Sequence, residues 1–122
     1  MRGRLGELEA TVMDVLWHAT EPYRVRDVRA ELAPQRPLAY TTVMTVLDNL
    51  HRKQWVERER QGKAYEYRAG FSREEASARA LRDVLDSAAD PHAVLMRFVE
   101  TVSDEETDLL RTALRKKRVR RQ

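Results

Sequence analysis

The sequence of 122 residues predicts a mainly α-helical protein with one small β-hairpin. Three observations predict this fold class. Apolar residues recur with a helical period in three segments before residue 54, the period changes to two over residues 55–68, and three helix-start signals follow. Three helices and then a hairpin is the element order of a winged helix-turn-helix. We therefore expect a winged-helix domain over residues 1–70 and a helical region over residues 71–122.

Composition narrows the classes of function. Hydrophobic residues make up 42% of the chain and charged residues 35%, and the absence of cysteine excludes disulfides, thiolate zinc sites and cysteine nucleophiles. No phosphate-binding glycine loop, HExxH or G-x-S-x-G motif occurs, so we predict no enzyme, no cofactor and no metal site. No run approaches 18 apolar residues, and the stretch MRGRLGELEA lacks an apolar signal core. The expected location is the cytoplasm, without membrane insertion.

The first two helices are predicted from the spacing of apolar residues and from the residues that interrupt that spacing. Residues 7–18 place their apolar side chains on one stripe, and Gly6 is expected to cap that helix. Pro22 interrupts the pattern, Val25 is expected in a short strand, and residues 26–33 form a second helix.

The segment AYTTVMTVLDNLHRK, residues 39–53, predicts the third helix, with a core face formed by Val43, Val46, Leu47 and Leu50. Its many threonines are unusual, because threonine is a mediocre helix former. Thr41 is expected to be the N-cap, and this alone would favour a plain amphipathic helix. The element order instead favours a DNA-recognition helix. There a threonine hydroxyl bonds phosphates or base edges, and its methyl group packs on a thymine methyl.

The hairpin is predicted from residues 55–60 and 64–68, joined by a turn at Gln61-Gly62-Lys63. Its tip, formed by Arg58, Arg60, Gln61 and Lys63, is polar and basic, so it is expected to contact phosphates as the wing, although a charged turn is often only a solvated one. The predicted DNA-binding residues of the third helix and wing are Tyr40, Thr41, Thr42, Thr45, Asn49, Arg52, Arg60, Gln61 and Lys63.

Three further helices are predicted in the second region. Capping boxes at Ser72 and Ser103 open two of them, and Asp90-Pro91 opens another that runs to about Val102. Their apolar faces either fold back on the same chain or form a homodimer interface, which we favour because paired heads read two half-sites. The predicted dimerisation residues are Leu81, Val84, Leu85, Val94, Leu95, Phe98, Leu109, Leu110 and Leu114. The basic end RKKRVRRQ either attracts phosphates or is a disordered solubilising tail.

Four motifs in order, LGELEATVMDVLW, VRDVRAEL, AYTTVMTVLDNLHRK and GKAYEYRA, resemble the BlaI/MecI/CopY family of bacterial repressors over about residues 5–70. The resemblance implies a homodimer with winged-helix heads and intertwined C-terminal helices. It implies palindromic operators upstream of β-lactamase, penicillin-binding-protein or copper-homeostasis genes. It also implies release through a membrane sensor metalloprotease. The recognition positions would be Thr41, Thr42 and Thr45, with wing positions near Arg60 to Lys63.

The chain departs from that family pattern at three points. It has no cysteine, whereas the copper-responsive branch uses a cysteine-rich metal motif. Gln54 stands where the family commonly has glycine, and Arg97-Phe98 is the nearest analogue of the Asn-Phe bond that is cleaved in the antibiotic-responsive branch. Two other classes stay open at this point: a winged helix that binds proteins but not DNA, and a winged-helix regulator that binds a small ligand.

Overall fold

The computed structural model describes residues 5–121, which contain six helices and one two-stranded antiparallel sheet. The elements are α1 Glu7–His18, α2 Val25–Leu32, α3 Tyr40–Arg52, β1 Val56–Gln61, β2 Ala64–Ala69, α4 Arg73–Ser87, α5 Pro91–Val99 and α6 Asp104–Arg121. The predicted fold class is confirmed. The chain divides into two compact units between Ser77 and Ala78. The predicted domains 1–70 and 71–122 include residues 1–4 and 122, which lie outside the described residues.

The core of the first unit is shared by α1, α2, α3 and the hairpin. Helical apolar spacing brings one face of each helix inward, and the strands cover the remaining side. All four residues predicted for the core face of α3 are buried. The buried apolar side chains are Val12, Met13, Leu16, Val25, Val28, Leu32, Val43, Val46, Leu47, Leu50, Trp55, Val56, Tyr67 and Phe71.

A buried carboxylate ties the start of α1 to the end of α3. Gly6 is the N-cap of α1, as predicted, and its N–H donates to Glu9 Oε1 at 2.7 Å. Lys53 Nζ donates to the same oxygen at 2.8 Å. Burial alone would raise the pKa of Glu9, but these two donors outweigh it and lower the pKa. Glu9 therefore stays ionised although it is buried.

The prediction of a short strand at Val25 is wrong, because Val25 is the first residue of α2. The N–H of its N-cap, Arg24, donates to Asp27 Oδ2 at 2.9 Å. Strand-like pairing occurs two residues earlier, where Tyr23 and Tyr67 exchange backbone hydrogen bonds of 2.9 and 2.7 Å. That pair adds one bridge to the edge of β2 and fixes the hairpin next to the entrance of α2.

The predicted N-cap of α3 is also wrong. Ala39 occupies the cap position without a side-chain hydrogen bond, and Thr41 is the second residue of the helix. The carbonyl of Leu38 accepts a hydrogen bond from Arg29 Nε at 2.8 Å, and Leu38 packs against the core. This anchoring of the chain sets where α3 begins, although alanine is a poor cap.

Gln54 ends α3 in the left-handed conformation that usually favours glycine, with φ of 67°. The N–H of Trp55 donates to Leu50 O at 2.9 Å, and that of Gln54 donates to His51 O at 3.0 Å. This pair of bonds is a Schellman motif, which terminates the helix and turns the chain into β1. The turn therefore keeps the conformation suited to glycine although the residue is glutamine.

We expect Gln54→Gly to raise the free energy of unfolding by roughly 0.5–1 kcal/mol, because relief of left-handed strain exceeds the entropy cost of glycine. Urea denaturation monitored by circular dichroism measures this change. Gln35→Gly is the matched control, since Gln35 lies in a turn without positive φ and its replacement should lower stability. Equal changes at the two positions would contradict the assigned strain.

The hairpin has a shorter turn than predicted. Gln61 is the last residue of β1 and pairs with Ala64, which leaves Gly62 and Lys63 as the two turn residues. Gly62 has φ of 65°, which suits a tight hairpin turn. The register places Arg58 opposite Tyr67 and Arg60 opposite Tyr65, so each arginine faces an aromatic residue across the ladder.

The helices after the hairpin begin at their predicted caps. Ser72 and Glu75, and likewise Ser103 and Glu106, exchange the two hydrogen bonds of a capping box, and Asp90 accepts from Ala93 N–H at 3.1 Å. α5 ends at Val99, earlier than predicted, whereas α6 continues through the basic segment to Arg121. Among residues 5–121, no helix combines the length and hydropathy that a membrane span requires.

Candidate nucleic-acid interface

The side of α3 opposite the core carries the residues predicted to read DNA. Tyr40, Thr41 and Thr45 are exposed and Thr42 is half-buried, all within the first half of the helix. Met44, also exposed, lies between them and was not predicted to take part. A surface of hydroxyl groups, one phenol ring and one thioether is suited to hydrogen bonds and apolar contacts with base edges.

Asn49 and Arg52 occupy the other end of the same helix. Arg52 Nη2 donates to Asn49 Oδ1, so the structure brings these two predicted residues together, one turn apart. Asn49 is half-buried and Arg52 is exposed. Arg52 also lies in the last turn of α3, where a cation interacts favourably with the helix dipole.

The wing presents its predicted residues at the tip of the hairpin. Arg60, Gln61 and Lys63 are exposed, and Arg60 Nε donates to Gly62 O at 3.2 Å across the turn. The guanidinium carbon of Arg60 lies 5.8 Å from the centre of the Tyr65 ring. The hairpin therefore holds two positive charges at its end, where a polyanion can approach them.

A groove of about 420 Å³ separates the wing from α3 and the start of α2. It brings the predicted residues Tyr40 and Lys63 together with two arginines that the sequence reasoning did not select, Arg24 and Arg26. Arg24 Nε lies 3.7 Å from Glu66 Oε2, and Arg26 is exposed. In the sequence, Arg24 and Arg26 are visible only as two arginines two residues apart. They can be recognised as part of the site only from the fold, which places them beside the wing.

Arg58 behaves differently from the other wing cations. Arg58 was predicted to belong to the basic tip, but its Nη1 lies 2.9 Å from Asp48 Oδ1 on α3. Its guanidinium carbon lies 4.1 Å from the centre of the Tyr65 ring. Arg58 therefore points back toward α3 and not along the hairpin.

The residues predicted for dimerisation lie on helices whose apolar side chains are largely exposed. Leu85 is half-buried and the other eight are exposed, as are Met96 and Val99, which were not predicted. The pair Arg97 and Phe98, predicted as a possible cleavage position, is exposed on α5, with Arg97 Nη1 3.7 Å from Glu100 Oε2. Several of these exposed apolar side chains lie within two turns of α5, and clustered exposed apolar side chains are typical of an interaction site.

Within residues 5–121 no three side chains of His, Cys, Asp or Glu come close enough together to hold an ion.

Two solved structures share this fold at low sequence identity. The solution structure of the DNA binding domain of the repressor BlaI has a TM-score of 0.54 and 20% identity, over 62% of this chain and 90% of that chain. The complex structure of hsRosR-S4 has a TM-score of 0.53 and 21% identity, over 86% of this chain and 92% of that one. The three helices and wing thus define the chain as a winged-helix protein.

Sequence comparison assigns the chain within that class. Residues 5–116 match the family model described as penicillinase repressor. The chain is 46% identical over 114 residues to the transcriptional regulator BlaI in two strains of Mycobacterium tuberculosis, covering 91% of this chain and 83% of that protein. The chain belongs to the penicillinase repressor family. The recognised resemblance is thereby confirmed, and the protein is a transcriptional regulator and not an enzyme.

Proposed function

We propose that the protein is a homodimeric repressor that binds palindromic operator DNA. The observation that carries this proposal is the hydroxyl-bearing side of α3, exposed beside a hairpin with cations at its tip. Family membership supports it, as do the similarity to the transcriptional regulator BlaI and the fold shared with the DNA binding domain of the repressor BlaI.

The first half of α3 would enter the major groove in this proposal. Thr42 and Thr45 would contact base edges, and Tyr40 and Thr41 at the helix start would contact phosphates, which the helix dipole favours there. Gln61, Arg60 and Lys63 would follow the backbone as the wing. The groove between wing and helix would receive the intervening phosphate strand, with Arg24 and Arg26 on its wall. Asn49 and Arg52 would contact the backbone at the far end of α3.

Dimerisation would come from the second region, residues 71–122. One head contacts only a few base pairs, whereas a symmetric pair reads two half-sites about 34 Å apart. An isologous contact between two copies would bury the exposed apolar side chains of α4, α5 and α6. The DNA-binding region would be residues 1–70.

Release would follow from a partner signal in the cytoplasm. The family name supports control of penicillinase or related cell-wall-stress genes, and the resemblance supports a membrane sensor metalloprotease as the partner. Cleavage at Arg97-Phe98 would cut α5, whose apolar residues form part of the proposed dimer surface. Loss of that helix would separate the two heads and lower their combined affinity for the operator.

Titration of labelled duplexes at several salt concentrations tests DNA binding. The operator probe is a duplex enriched from a random library by the wild-type protein, and an unselected duplex is the reference. Thr42→Ala or Thr45→Ala should reduce the preference for the operator by roughly 1–3 kcal/mol. Lys63→Ala should weaken binding to both duplexes equally and reduce the salt slope by about 1.

The matched control is Thr112→Ala, which removes an exposed helical threonine from α6 and should leave both affinities unchanged. Equal losses on operator and reference after the α3 substitutions would contradict their role as base readers. Failure of the wild-type protein to enrich or bind any duplex would overturn the proposed function and favour a protein-binding winged helix. Binding that a small molecule abolishes directly would favour a ligand-responsive regulator instead.

A further inference from the structure

We infer that Arg58 is a positioning residue, which sets the wing against α3 and neutralises Asp48 on the reading side instead of binding phosphate itself. This inference rests on the proposed function and deepens it, because it assigns to one wing cation a task different from that of Lys63. It concerns the first compact unit only.

Arg58 joins three partners on two different elements. Its Nη1 lies 2.9 Å from Asp48 Oδ1 on α3, and its guanidinium lies 4.1 Å from the ring centre of Tyr65 on β2. It also lies beside the hydroxyl of Tyr67, the residue opposite it in the hairpin, close enough for the two groups to shift each other's pKa. The planar guanidinium can meet a carboxylate, a hydroxyl and an aromatic face at once, which the single ammonium of lysine cannot do.

Tyr67 helps to hold the Arg58 side chain in this position. It is only 2% exposed, and its backbone pairs with Tyr23 through two hydrogen bonds. Burial raises the pKa of the Tyr67 hydroxyl, and the neighbouring guanidinium of Arg58 opposes that rise. If Arg58 turned toward a phosphate, the Asp48 carboxylate would lose its hydrogen-bond donor and the buried Tyr67 hydroxyl would lose the cation beside it, which is unfavourable.

Asp48 explains why the reading side needs a fixed cation. It is the one acidic residue in the α3 sequence, and it lines the same groove as Tyr40 and Lys63. A bare carboxylate there would repel a phosphate strand. Arg58 compensates this charge at contact distance, so the groove remains attractive to a polyanion.

Stability alone does not account for this pair. The side chains of Arg58 and Asp48 are 24% and 48% exposed, so water screens the ion pair and its net contribution to folding is small. Its geometric effect is larger, because it connects the hairpin to the recognition helix at one point. The angle between wing and helix determines whether both can contact one duplex together.

The test compares Arg58→Lys, Arg58→Ala, Asp48→Ala and the double variant, in the full chain, on the enriched operator duplex over a salt series. We expect Arg58→Lys to lose roughly tenfold in affinity. The salt slope should be unchanged, because lysine retains the charge but cannot hold three partners. We expect the double variant to bind better than Arg58→Ala alone, since it has no uncompensated Asp48.

A phosphate contact would behave differently, and the same data would reveal it. Lysine would then substitute with little loss, Arg58→Ala would reduce the salt slope by about 1, and the effect would be additive with Asp48→Ala. That outcome would overturn the inference and leave DNA binding intact. If the wild-type protein itself bound no duplex, the proposed function would be overturned as well. Circular dichroism and thermal melting establish that Arg58→Lys, the least disruptive variant, remains folded at the assay temperature.

Discussion

Phe98→Asp is expected to convert the proposed dimer into a monomer and to lower operator affinity by a factor of about 10² or more. Phe98 is 50% exposed on α5, beside the similarly exposed Leu95, in the surface that we assign to the partner copy. Burial of an unpaired carboxylate in an apolar contact is unfavourable, so the two copies would separate. A single head then loses the gain from binding two linked half-sites. Sedimentation velocity measures the mass, and fluorescence anisotropy measures the affinity.

The control for this experiment adds the same charge elsewhere on α5. Ala93 is exposed and lies about 140° around the helix from Phe98, in the first turn, where an acidic side chain is favourable. Ala93→Asp should therefore remain dimeric and retain affinity. Dimeric Phe98→Asp, or a wild-type protein that sediments as a monomer at micromolar concentration, would refute the assigned interface.

Leu47→Ala is expected to destabilise the first unit by about 2–5 kcal/mol, which corresponds to a fall in melting temperature of about 10 °C or more for a domain of this size. Leu47 is fully buried where α3 meets the core. Its truncation removes apolar contacts and leaves a cavity that the surrounding helices cannot fill completely. Thermal melting and urea denaturation measure the loss.

Thr45→Ala serves as the comparison on the same helix. Thr45 is exposed on the opposite side, so its replacement should change the free energy of unfolding by no more than about 0.5 kcal/mol. The two variants separate the two faces of α3. Leu47→Ala loses stability, whereas Thr45→Ala keeps its stability and loses preference for the operator. A stable Leu47→Ala protein would contradict the assigned core face.

Local sequence patterns predicted the elements whose causes are local. The apolar spacing of α3 identified its buried face, and the serines of the two capping boxes marked the starts of α4 and α6. Each signal acts within about one helical turn, so it can be read without the remainder of the chain.

The predictions that were wrong depended on distant contacts. The strand-like pairing was misplaced at Val25 because it actually joins Tyr23 to Tyr67, which is far away in sequence, and a local pattern cannot show such a pair. The start of α3 was misplaced at Thr41 because it is anchored by the hydrogen bond from Arg29 to Leu38. No sequence pattern marks that contact.

Distant contacts also explain why the predicted DNA-binding site was incomplete. The sequence selected the threonine side of α3 and the wing tip, which remain predictions for DNA contact. It did not select Arg24 and Arg26, because only the fold places the entrance of α2 beside Lys63. It grouped Arg58 with the exposed cations, because the partner on α3 is ten residues earlier in another element.

If the exposed apolar side chains of α5 form the dimer contact, operator occupancy would depend on the number of protein chains in the cell. In the proposed assembly, dimer formation is second order in the chain. When free protomers predominate, halving their number would thus remove about three quarters of the dimers. Operator occupancy would then fall more steeply than protein abundance. A loss of intact chain would therefore raise expression of the controlled genes more steeply than it would for a repressor that acts as a monomer.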